Sequence, residues 1–152
     1  MQLRTRPKDS FIEMADWDQL YILANYWKSD LSFHCDELRF LRQLVNRHFN
    51  GLVDNKNAGR VQAIASRILN LSSLRASLSE QVESHQERII LLIEKQEENE
   101  APEYDPDIRE DHLALEDEIH QFVKDLRTLK KEVFWLTERI MEGNKLRRLL
   151  SL

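Results

Sequence analysis

Three glycines and three prolines are all that punctuate 152 residues. Sandwich, barrel and α/β folds turn often and need more of both, so this scarcity points to long uninterrupted helices. A single cysteine, Cys35, rules out an intramolecular disulfide. A reducing compartment, and hence the cytoplasm, is the simpler expectation. No apolar run approaches the ~20 residues that span a bilayer. The basic N-terminal stretch Met1–Lys8 has no apolar segment behind it, so a secretory signal is not expected either. Surplus positive charge is also lacking. The 22 Lys and Arg residues face 27 Asp and Glu, a net charge of −5. That disfavours general nucleic-acid binding, in which basic surface must displace counterions from phosphates. Neither nucleic acid nor membrane is therefore expected as a partner.

What the chain does have is a seven-residue beat of core-type side chains. In the first segment it reads Trp17, Leu20, Ala24, Trp27, Leu31, His34, Leu38, Leu41, Val45, His48 and Leu52. Steps of three and four alternate throughout, which keeps one seam of a helix turned towards a partner helix. The same beat runs from Val61 through Ile64, Ile68, Leu71, Arg75, Leu78, Val82, His85 and Ile89 to Leu92. It returns from His112 through Leu115, Ile119, Phe122, Leu126, Leu129, Val133 and Leu136 to Ile140. Asn50-Gly51 is a plausible first stop, with Leu52 folding back over the last turn. Pro102 ends the second segment. Asp105-Pro106 opens the third, aspartate as cap and proline at the first helical position.

These signals predict an all-α fold. Helices over about 16–50, 58–98 and 106–148 form an antiparallel up-down-up, coiled-coil-like three-helix bundle in one domain spanning 1–152. Residues 1–10 are expected to be flexible. Ser29-Asp30 favours N-caps and would split the first helix into two, giving four helices, although the seam stays in phase across it. With turns centred near Lys56 and Glu103, residue n of the first helix lies level with about residue n+94 of the third.

The first helix carries more apolar surface than one seam needs. Ile22, Tyr26, Phe33, Phe40 and Leu44 make a second stripe, and the third helix adds Phe134, Trp135 and Met141. The expected levels put Phe40 beside Phe134, so the stripes can merge. A patch of that kind left wet is an aggregation hazard. The leading expectation is a non-enzymatic protein–protein interaction or structural module that forms a homodimer. Its interface is assigned to Ile22, Tyr26, Phe33, Phe40, Phe134 and Met141. The competing possibilities are cover from within the chain, by half of a broken first helix or by the Phe11–Met14 segment, and cover by a different protein.

Charge is segregated as well. Twelve carboxylates lie between Glu94 and Glu118 against Lys95 and Arg109. Basic residues gather at the other end, including Arg42, Arg47, Lys56, Arg60, Arg139, Arg147 and Arg148. Such an end could grip an acidic protein or a polyanion. Most of this pattern is accounted for by solvated turns and helix dipoles.

Chemistry-bearing motifs are few. No Glu-x-x-His or His-Glu-x-x-His occurs, and no glycine-rich phosphate loop, since Gly51, Gly59 and Gly143 stand apart. A helix-interior thiol such as Cys35 behaves as a small hydrophobe unless a base faces it, and adjacent His34 does not. No cofactor, metal or catalytic residue is assigned. The alternative function is a metal-binding helical bundle using His85, His120 and the carboxylates near them, which the expected levels bring together.

Overall fold

The computed structural model describes residues 14–49, 57–98 and 106–151. The chain forms three α-helices, α1 (Trp17–Phe49), α2 (Ala58–Glu97) and α3 (Pro106–Leu150). They pack side by side as an all-α three-helix bundle, with no strand among the described residues. At ~1.5 Å per residue the 45 residues of α3 reach roughly 65 Å, so the molecule is a rod. The direct contacts give the directions. Asn25 meets Gln86, Arg67 meets Glu132 and Arg88 meets Asp111, so neighbours in sequence run antiparallel. Ala15 meets Arg109 and Glu37 meets Lys130, so α1 and α3 run parallel.

The beat is the reason for this arrangement. Every member of the α1 seam from Trp17 to Val45 is buried. At the end of the helix the core position is Phe49, while His48 is only half-buried. An α-helix has 3.6 residues per turn, so a strict seven-residue repeat drifts ~20° per heptad and must eventually step one residue on. Arg75 stands half-exposed where the α2 beat places it inside. In α3 all nine seam members are buried, and Ile108 joins them one turn earlier.

Helix α1 is continuous through Ser29-Asp30, so the four-helix alternative is not what forms. Its start is fixed by a reciprocal box. The Gln19 amide donates to Asp16 Oδ1 at 2.8 Å, and the Asp16 amide donates to Gln19 Oε1 at 3.1 Å. This satisfies two amides that a helix N-terminus otherwise leaves without partners. Pro106 is the first residue of α3, where its missing N–H costs nothing. The Asn50-Gly51-Leu52 stop, the Pro102 break, the Asp105 cap and residues 1–10 lie outside the described residues. So do Phe11 and Ile12; Met14, which follows them, is exposed.

Two apolar clusters fill the rod. The longer runs from Ala24 and Trp27 to Phe49 on α1, with Ile64–Val82 on α2 and Leu115–Ile140 on α3. The shorter comprises Ala15, Trp17, Leu20, Ile89, Leu92 and Ile108. A polar layer separates them. His85 Nε2 and His112 Nδ1 share a 2.8 Å hydrogen bond, and Gln86 Nε2 donates to Asn25 Oδ1 at 3.2 Å. The His112 ring lies 4.4 Å from that of Trp27.

This layer corrects the expected register. The Arg67–Glu132 and Arg88–Asp111 pairs centre the α2–α3 hairpin about four positions before Glu103. His85 therefore meets His112 and not His120, which lies about two turns further along α3. The ring contacts Trp27–His112 and His34–Phe122 set α1 against α3 at smaller offsets than n+94. The longer side chains Arg109 and Lys130 reach back to offsets of 94 and 93.

Candidate interaction surface

All six residues assigned to the interface are exposed. They range from 45% for Phe134 to 55% for Met141, while their neighbours in the seams are almost completely covered. In α1 the stripe lies well over a quarter turn away from the seam, so the helix is apolar on two faces. The bundle uses only one of them.

Phe33, Phe40 and Phe134 line one groove of about 420 Å³ between α1 and α3, together with Asp36, Glu37, Leu41 and Lys130. Phe33 and Phe40 are two turns apart on α1, and Phe134 faces them from α3. Ile22 and Tyr26 lie nearer the start of α1 and Met141 nearer the end of α3. None of these three lines the groove.

The side of the groove is charged and tied to the core. Glu37 accepts from Lys130 Nζ through Oε2 at 2.6 Å and from His34 Nδ1 through Oε1 at 2.7 Å. Burial raises the Glu37 carboxyl pKa, but the hydrogen bonds and charges of Lys130 and His34 outweigh it and hold the group below its ordinary value of 4.5. His34 is itself buried, with its ring edge-on to Phe122 at 5.7 Å. Its Nε2 has no hydrogen-bond partner, which costs least when Nδ1 carries the proton given to Glu37. The Lys130–Glu37 pair crosses from α3 to α1, so it joins the two helices that hold the aromatic rings. Cys35 is half-buried and unpaired, and its neighbour His34 directs Nδ1 at Glu37.

Two other hollows differ in character. One, of about 400 Å³, opens between α2 and α3 over Ser84, His85, Arg88, Asp111 and Glu118. Burial, with some help from the Arg88 charge and against the pull of Asp111, lowers the His85 pKa from 6.5 to about 4. His85 is therefore neutral near neutrality, and its Nδ1 is buried without a partner. His120 is half-buried with Nδ1 also unpartnered, and it does not share this hollow. Among the described residues no group of three or more His, Cys, Asp and Glu stands close enough to hold a metal ion. The other hollow, about 260 Å³, lies under Trp135, whose ring takes Arg60 at 5.2 Å and Arg139 at 4.8 Å. Such stacking lets an exposed indole remain on the surface under two guanidinium groups.

The stripe on α1 was legible as a pattern. The histidine layer was not, because a helix seam does not say which polar residue on the next helix will come level. The Asp16-x-x-Gln19 box was a readable signal that the seam alone does not use.

No protein family model matches the chain, and no match was found among curated proteins or solved structures. No described helix is long and apolar enough to cross a membrane.

Proposed function

We propose that the chain is a non-enzymatic helical interaction module that self-associates through the second apolar stripe on α1 and α3. The observation that carries this reading is the groove. Three phenyl rings from two helices, each about half-exposed, surround an ion pair that is already mostly shielded. Aromatic side chains bring large contact area at modest entropic cost, and they dominate the energetics of interfaces in which they are buried. Continuity of α1 also supports the reading, since no half of that helix folds back over the stripe. Tyr26, Phe40 and Phe134 act as the anchors. The lone cysteine fits a reducing compartment, and on that ground the module is placed in the cytoplasm.

Light scattering at micromolar concentration tests this directly. The wild-type chain is expected to give the mass of a dimer. Phe40→Glu, which puts a charge into the centre of the groove, is expected to give a monomer with unchanged helix content. A Phe40→Glu protein that keeps the wild-type mass refutes the assignment of the surface.

A further inference from the structure

The spacing of the α1 stripe carries information beyond its apolarity. Ile22 and Tyr26 precede Phe33 by eleven and seven residues, and Phe40 and Leu44 follow it by seven and eleven. The stripe is thus its own mirror image about Phe33, and Phe33 is the middle residue of the 33 in α1. At ~100° per residue all five fall within about 40° around the helix. A parallel self-contact makes no demand on such spacing, because each residue then meets itself. An antiparallel contact needs it. We infer that two copies of the chain dock antiparallel through α1, about a two-fold axis at Phe33. This inference rests on the self-association proposed above and specifies its geometry.

Such docking puts Ile22 level with Leu44 of the second copy, which is half-buried against its own core, Tyr26 level with Phe40, and Phe33 against Phe33. Phe134, which shares the groove with Phe40, reaches towards Tyr26 of the second copy. A two-fold contact of this kind buries the same patch on both copies and closes on itself, so it stops at the dimer.

Charge selects the same direction. Asp18 and Arg47 are both exposed and lie on the same side of the stripe, at opposite ends of α1. In the antiparallel arrangement same-side flanks meet, so Asp18 comes beside Arg47 of the second copy, once at each end. Each arrangement brings one pair of carboxylates together, Asp36 beside Glu37 of the second copy when parallel and Asp30 beside it when antiparallel, so the Asp18–Arg47 pair makes the difference. The parallel arrangement also stacks like ends, including Glu94, Glu97, Asp107, Glu110 and Asp111, at the end where Arg109 reaches Ala15. Like charges across an interface cost affinity, whereas complementary ones fix its register.

The test uses rim positions, leaving the aromatic contact intact. In full-length protein carrying Cys35→Ser, Asp18→Cys and Arg47→Cys are made as separate chains, mixed, and treated with a short bis-maleimide. Along one helix the two positions are roughly 43 Å apart, so no short linker joins them in a parallel pair. Cross-links between an Asp18→Cys chain and an Arg47→Cys chain are expected to dominate. Cross-links only between like chains overturn the antiparallel geometry and leave self-association standing. A monomeric mass for the Cys35→Ser protein overturns both. A dimeric mass with no cross-link from either position also overturns both, because the contact then lies away from α1.

Discussion

Lowering the pH should destabilise this bundle through His85 before the bulk of the carboxylates titrate. His85 is 3% exposed, lies between two apolar clusters, and shares its Nε2 hydrogen bond with His112. Burial lowers its pKa from 6.5 to about 4. In the unfolded chain the imidazole takes up a proton as the pH falls through 6.5; in the bundle it does not until about 4. Between those values the unfolded state binds more protons, so stability falls with falling pH. Above the window the group contributes no slope, and below it the loss is complete. The difference amounts to about 2 kcal/mol at about pH 5 and roughly 3 kcal/mol once the window is crossed. That is a large share of the roughly 5–15 kcal/mol by which a domain is stable. Urea unfolding followed by circular dichroism at several pH values measures it, with His85→Leu as the reference whose curve lacks this slope. Titration of the ring protons by nuclear magnetic resonance gives the value directly. A His85 that titrates near 6.5, or wild-type and His85→Leu curves that stay parallel through the window, refutes the reasoning.

Other outcomes follow from the packing and the charges. Phe122 is completely buried at the centre of the longer cluster, so Phe122→Ala should cost about 3–5 kcal/mol in urea unfolding. Asp16→Ala removes one half of the α1 box and should cost about 1 kcal/mol, seen as a drop of a few degrees in Tm. In Lys130→Met the Glu37 carboxyl loses its ion pair and should titrate at higher pH than in the wild type, read by carbon-detected resonance of the side chain. Since the wild-type group sits below 4.5, its contribution to stability is present above that value and disappears as the pH falls through the folded pKa. The variant should lose that acid-side slope.

The helices and their seams were legible because one face of each is buried along most of its length, and burial of that kind imposes a period on sequence. Trp17 through Val45 obey it without a break. The departures are local and physical. Phe49 replaces His48 because an α-helix drifts against a seven-residue repeat. His112 replaces His120 opposite His85 because register depends on where each helix stops. Here α2 runs to Glu97 and α3 begins at Pro106, so the hairpin turns earlier than a centre at Glu103 implies. The meeting of Phe33, Phe40 and Phe134 tolerated that error, since the groove spans several residues along α1. The i,i+3 spacing of His34 and Glu37 was readable, but not that Lys130 joins the same carboxylate, a contact made only once α3 lies alongside α1. Arg139 lies i,i+4 from Trp135 and was readable in the same way, whereas the arrival of Arg60 from α2 on that ring was not.

The central claim is that the bundle leaves an apolar flank which a second copy covers. Its most direct test is absolute mass in solution by light scattering coupled to size exclusion, since a rod elutes early and retention alone misleads. The expected mass is about twice the 18.1 kDa of one chain at micromolar concentration. A single-chain mass that persists as concentration rises contradicts it.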